Sequence, residues 1–254
     1  MPTALLRLSA PLQSYGLHSR WDHHGTARRP TKSAVIGLIA NALGWERDAD
    51  LGDLADLVFA VRADRPGRIT TDHQIAGGGR FPRTALAASR PNAATHPDTY
   101  GAPRAPHLDN TATPTTYYAP SLRGSVLITK EYLADAAFVV GLTTPDPGLA
   151  ERIVAAVRRP HRLLYLGRRC CPPARPIGHG LTDDGPDTWP GRLPLLPEAT
   201  TATPTVWSQT PPVPGSVGYP EQPPTTFAQR DHRTVHLRTT VVRPPAPTAP
   251  EQPR

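Results

Sequence analysis

Three features of the sequence predict an α+β fold with the β–α–β–β–α–β order of a ferredoxin-like sheet. Short apolar runs of strand type recur along the chain, two amphipathic segments of helical period separate them, and one long proline-rich stretch without apolar period interrupts them. The same frame serves many single-strand RNA binders.

The first run, ALLRLS at 4–9, is short and alternating and reads as a strand. A polar loop follows from Pro11 to Pro30. Thr31 then opens KSAVIGLIANALG, in which Val35, Ile36, Ile39, Ala42 and Leu43 share one helical stripe. Thr31 suits the N-cap and Gly44 the C′ stop. A second, short helix spans Asp50 to Leu57. LVFAVRAD (57–64) and RITTDHQ (68–74) then read as two strands, and Arg65-Pro66-Gly67 between them signals a hairpin.

From Ile75 to Gly124 the apolar period vanishes, and Gly77-Gly78-Gly79, seven prolines and scattered arginines take its place. A structureless stretch of this length is uncommon inside a domain unless it is functional, so it reads as a projecting arm. A disordered insertion would have the same composition. SVLITKEYL (125–133) and AAFVVGL (136–142) read as paired strands turning at Ala134-Asp135. Asp146 to Arg158 is an amphipathic helix with Leu149, Ile153, Val154 and Val157 on its apolar side, ended by Pro160. RLLYLG (162–167) then reads as a returning strand. Beyond Arg169 prolines break the chain, leaving short strands at 204–209 and 232–239 and a Pro- and Ala-rich tail expected to be disordered. The expected division is a ferredoxin-like domain over 1–169 carrying the arm at 75–124, a small β-rich C-terminal part over 170–243, and the tail at 244–254.

Composition narrows the partners. Of the 254 residues 33 are proline and 38% are hydrophobic, so the chain cannot be uniformly helix and strand. The net charge is +7, and Lys32 and Lys130 are the two lysines against a majority of arginines. Arginine offers a planar fork for phosphate and stacks on bases, which points to a polyanionic partner. A GC-rich codon bias would explain arginine over lysine, but not the excess of positive charge. The adjacent Cys170 and Cys171 form no disulfide framework. Arg7 interrupts the apolar run Leu5 to Leu8, and no run approaches the ~20 residues of a membrane helix; a cytoplasmic protein is expected.

Four groups of residues could carry chemistry. Trp21-Asp22-His23-His24 holds an Asp-His-His triplet of the kind that suits divalent metals. The first strand supplies no carboxylate to complete such a centre, and Arg80 follows the glycine run where a ligand would be needed, so no metal or other cofactor is expected. Tyr15, His18, His23, His24 and Lys32 could instead build a metal-independent RNA-cleaving site, with a histidine or tyrosine as base and a lysine at the scissile phosphate. Arg28-Arg29-Pro30-Thr31-Lys32-Ser33 sets cations at a helix N-terminus, a phosphate-binding corner or ordinary capping with solvated charge. Arg158 to Arg169 holds five arginines and Tyr165 against no acid, a single-strand track unless Tyr165 is core.

APLQSYG (10–16), RRPTKSAVIGLIANALG (28–44), KEYLADAAFVVGL (130–142), LYLGRRCCP (164–172) and FAQRD (227–231), in this order, resemble the CasD subunits of type I-E CRISPR Cascade complexes. The resemblance runs from Leu5 to about Arg238 and omits the tail and most of the arm. It implies a thumb at 75–124 and a non-catalytic subunit that caps the 5′ handle of the crRNA. It also implies a bridge between the backbone subunit CasC and the large subunit CasA, with target DNA met only through the complex. By position it assigns Arg28, Thr31, Lys32 and Ser33 to handle phosphates, Arg168 and Arg169 likewise, and Arg80 and Arg83 to RNA or a neighbouring subunit. The basic corner and track add Arg29 and Arg162. A related branch, in type I-C systems, cleaves precursor RNA itself; that alternative makes the chain an endoribonuclease using Tyr15, His18 and Lys32.

Overall fold

The computed structural model describes residues 1–16, 22–76, 107–108, 116–117, 126–223, 225–229 and 233–247. The chain divides into two compact units, one of Met1–Leu17, Gly25–Thr70 and Glu131–Arg254, the other of His18–His24 and Thr71–Lys130.

The strands are β1 (Thr3–Gln13), β2 (His23–His24), β3 (Val58–Arg65), β4 (Arg68–Ala76), β5 (His107–Leu108), β6 (Thr116–Tyr117), β7 (Val126–Thr143), β8 (Gly178–Thr182), β9 (Thr205–Gln209), β10 (Ser216–Gln222) and β11 (Arg233–Val241). The main sheet runs β10-β11-β9-β3-β7-β1-β8, with every neighbouring pair antiparallel. β2 and β4 also pair with β7, and β5 pairs with β6 apart from this sheet. The helices are α1 (Lys32–Ala42), α2 (Asp53–Asp56), α3 (Pro147–Arg158) and α4 (Trp189–Arg192).

The central strands β1, β3 and β7 are buried on both faces over most of their length, as the near-continuous apolar runs of β3 and β7 require. Ala4, Leu6, Leu8 and Ala10 of β1 join Phe59, Val61, Phe138 and Val140 in one core with the predicted stripes of α1 and α3. On the opposite face Leu5, Ala60 and Val139 pack against Trp189 and Leu196. Trp189 lies so close to the sheet that a Cβ on Gly141 would fall 2.4 Å from its Nε1.

The helix ends match their residue types. Thr31 Oγ1 accepts from Ala34 N–H, and Asp146 Oδ1 accepts from Gly148 N–H. At the C-terminus of α1, Gly44 N–H donates to Asn41 and Trp45 N–H to Ala40, a Schellman closure that needs the left-handed φ of +78° at Gly44.

The second face is fixed by a buried ion pair within β3. Arg62 and Asp64 have fully buried side chains, and Arg62 donates to both Asp64 oxygens, at 2.6 and 2.9 Å. The remaining guanidinium hydrogens reach the carbonyls of Pro190, Leu193 and Pro194, and Asp64 accepts from Leu196 N–H. The pair thereby ties 190–196 to the sheet.

Several strand expectations are corrected. Residues 57–64 and 68–74 do not form a hairpin with each other; both pair with β7. Their joint lies beside β7, where a Cβ on Gly67 would meet the Ala134 carbonyl at 2.5 Å. The two strands expected around Ala134-Asp135 are likewise one, Val126–Thr143. Asp135 takes a left-handed φ of +55° within that strand. Pro11, with no N–H to give, falls opposite it between the Ala10–Ala136 and Leu12–Ala134 pairs. β1 therefore continues past the proline that was expected to end it. Residues 162–167 form no strand, and β8 takes the place beside β1. β9 and β11 stand where strands were expected, but β10 was not foreseen. The start of the tail is docked: Pro244 is buried and the Pro245 carbonyl accepts from Leu195 N–H.

Replacing Asp64 by alanine leaves a buried guanidinium without its counter-charge. Urea unfolding should show a loss of about 3–5 kcal/mol; a loss below 1 kcal/mol would remove the pair from its structural role.

Candidate nucleic-acid interface

The basic segment before α1 separates into outward and inward cations. Arg28 is exposed. Arg29 turns inward: its fork grips Glu221 of β10 at 2.8 and 2.7 Å, donates to the Pro30 carbonyl, and stacks on Tyr219 with 4.6 Å to the ring centroid. Glu221 also accepts from Lys32 N–H at 3.4 Å. The anion place that the helix N-terminus offers is thus held by a carboxylate of the same chain. Thr31 is buried as the cap and Ser33 is half-buried.

Lys32 is the unusual member. Its side chain is 1% exposed, and among the described residues its ammonium has no hydrogen bond or ion pair. Burial holds its pKa down at about 8, with Asp56 pulling it up and Arg233 of β11 pushing it further down. The four elements meet here by bonded contacts: Gln222 pairs with Arg233 and donates to the Ala55 carbonyl of α2.

The arginine-rich track is a folded loop rather than a strand. Leu166 carbonyl accepts from Ser14 N–H and Leu166 N–H donates to the Cys171 carbonyl, with Gly167 at a φ of +91° between. A Cβ on Gly167 would lie 1.5 Å from the Ser14 carbonyl oxygen, so the turn is open to glycine alone. Arg162 pairs with Glu46 and donates to the Trp45 carbonyl. Arg168 stacks on Tyr132, 4.7 Å from the ring centroid, and donates to the Glu131 carbonyl. Arg169 is exposed, and Tyr165 is half-buried. Cys170 is exposed near the Tyr132 hydroxyl, while burial pushes the Cys171 thiol up to about 12.

The cleavage constellation is not assembled. Tyr15 is buried, its hydroxyl donates to Gln13, and burial raises its pKa well above the ordinary tyrosine value, so it keeps its proton. His18, Arg80, Arg83 and Gly77 to Gly79 lie outside the described residues. His23 and His24 form β2 against Thr129 and Lys130. Sequence reasoning missed Tyr219, Glu221 and Arg233, all from strands remote from α1 in the chain. The one available signal was Glu221, an isolated acid among prolines.

A family model described as "CRISPR-associated protein (Cas_Cas5)" matches residues 3–235. The chain belongs to this family. Among curated relatives of the Cas5 member, the "CRISPR system Cascade subunit CasD" of Escherichia coli (strain K12) is 30% identical over 179 residues, covering 68% of each chain. A solved chain titled "CRISPR RNA-guided surveillance complex" superposes with a TM-score of 0.68 at 26% identity, covering 96% of this chain and 91% of that one. Another, "Crystal structure of Cas protein", gives 0.65 at 27% identity, covering 96% and 98%.

A lysine held near pH 8 by burial lowers stability wherever it is protonated in the fold. The unfolded chain binds the proton more tightly, so stability should rise as pH climbs from about 8 toward 10.5. Lys32→Met should raise stability at neutral pH by up to about 3 kcal/mol and abolish that rise. Urea midpoints across this pH range check both; an unchanged rise in the variant would exclude Lys32 as its source.

Proposed function

We propose that the chain is a non-catalytic, crRNA-binding component of a CRISPR Cascade complex, capping the 5′ handle and bridging the CasC and CasA subunits. The observation that carries this reading is the Cas5 family match over 3–235, joined by the similarity to CasD. The ferredoxin-like plan fits it: β8-β1-β7-β3 has the order of a split βαβ sheet, with α1 following β1 and α3 following β7. The thumb at 75–124 belongs to the same proposal.

Within this reading Arg28 and Arg169 present exposed charge to handle phosphates, with Ser33 and Arg168 beside them. Lys32 contributes from below, and Thr31 acts through the cap that orders the corner. Arg29 and Arg162 serve the fold, because carboxylates of the chain already hold their guanidinium groups. Arg80 and Arg83 reach RNA or a neighbouring subunit. The endoribonuclease reading has less support, since the Tyr15 hydroxyl is buried and protonated. Target DNA is then met through the assembled complex.

Gel-shift and cleavage assays on cognate repeat RNA, with and without EDTA, test this. RNA should be bound and left intact. Arg28→Ala plus Arg169→Ala should reduce the slope of log affinity against log salt by about 1.4, or 0.7 per phosphate contact on a single strand. A specific cut that survives EDTA would make the chain a processing nuclease instead.

A further inference from the structure

Two adjacent thiols end the loop that follows α3, and the fold gives them opposite surroundings: Cys171 is buried, whereas Cys170 is exposed. The backbone fixes the turn that presents them. Cys171 N–H donates to the Arg168 carbonyl, the Cys171 carbonyl accepts from Leu166 N–H, and Gly167 passes under the Ser14 carbonyl.

The Cys170 sulfur is ringed by polar hydrogens. The Tyr132 hydroxyl lies 3.6 Å from it, and the Cys171 thiol hydrogen-bonds it. The Arg168 guanidinium is held 4.7 Å from the centroid of that same Tyr132 ring and by the Glu131 carbonyl. Burial first, and Cys170 next, raise both Tyr132 and Cys171, so each keeps its proton and donates it. A thiolate formed at Cys170 is therefore met by two hydrogens, with a guanidinium beside the ring that supplies one of them.

We propose that Cys170 is a reversible thiolation site, taking one half of a small disulfide that carries carboxylates. The residues before it select the acidic class, Arg169 exposed and Arg168 half-buried on the Tyr132 ring. Across 151–175 seven arginines stand against Glu151 alone, so a cationic disulfide is repelled there. The inference needs no RNA and stands apart from the RNA-binding reading.

In the step itself a Cys170 thiolate attacks one sulfur of the small disulfide. The bond from Cys170 Sγ to that sulfur forms as the small disulfide bond breaks. The other half leaves as a thiolate and takes the proton that Cys170 gave up. Cys170 is thereby oxidised to a mixed disulfide, and one small thiol is the reduced product. The reaction stops there. Cys171 is buried and keeps its proton, which makes it a poor attacker. Adjacent Cα atoms also stand about 3.8 Å apart, under the ~4.4 Å at which an unstrained disulfide begins.

The test treats the full, folded chain with glutathione disulfide or with cystamine, a doubly cationic counterpart, and reads adducts by intact mass and peptide mapping. Wild type should gain one glutathionyl group, on Cys170, and lose it to a thiol reductant. Cys170→Ser should gain none. The ratio of the glutathione-disulfide rate to the cystamine rate should be about tenfold higher in wild type than in Arg168→Gln plus Arg169→Gln. That ratio cancels any general change in exposure of the loop. Should the double variant fail to fold, Arg169→Gln alone, at an exposed position, should lower the ratio about threefold. No adduct on Cys170, an adduct on Cys171, or an internal disulfide between the two overturns the site. An unchanged ratio overturns the selection for acidic disulfides.

Discussion

An ion pair between two residues two positions apart, on the same strand face, decides what can lie on the back of this sheet. Arg62 and Asp64 are fully buried, and two isolated charges in that position would be far too costly to keep. They are tolerated because each spare donor and acceptor finds a backbone group of the segment 190–200, including Thr200 N–H on the Asp64 carbonyl. An irregular, proline-broken segment is thereby given the hydrogen bonds that a helix or strand would have made for itself. Trp189 can then close over Gly141 and complete the second core.

The front of the sheet follows a different logic. Here α1 and α3 supply regular apolar stripes, and the polar work is moved to the helix ends. Around the start of α1 the chain uses arginine in two ways that composition cannot tell apart. Arg29 is a structural cation, matched to Glu221 and stacked on Tyr219, whereas Arg28 beside it faces water. The same division recurs in the loop after α3, where Arg162 is paired and Arg169 is exposed. A basic sequence is therefore only partly a basic surface.

Much of the front face was legible in the sequence because its signals are local. The stripes of α1 and α3, the Thr31 and Asp146 caps and the Gly44 stop depend on neighbours three or four residues away. The failures are all cases in which a distant partner overrules a local pattern. Pro66-Gly67 has hairpin composition, but β7 is the neighbour of both flanking strands. Pro11 looks like a strand end, yet it sits opposite Asp135, where β7 is already irregular. Leu164 and Leu166 alternate as in a strand, but Gly167 must turn under the Ser14 carbonyl. At the site, Thr31 and Lys32 were visible at a helix mouth. Glu221 and Arg233, which set the charge there, come from strands whose pairing no short-range pattern encodes. The family resemblance did identify the fold's kinship, since five short motifs in order carry information that none carries alone.

The contact between Arg29 and Glu221 joins residues 192 positions apart. A ribosome delivers the helix that starts at Lys32 long before it delivers β10. During that interval the arginine has no carboxylate to meet, and burying it would cost several kcal/mol. The basic corner must therefore stay open and hydrated until nearly the whole chain has emerged. Closure of the front of the sheet becomes a late event in synthesis, gated by the arrival of one glutamate.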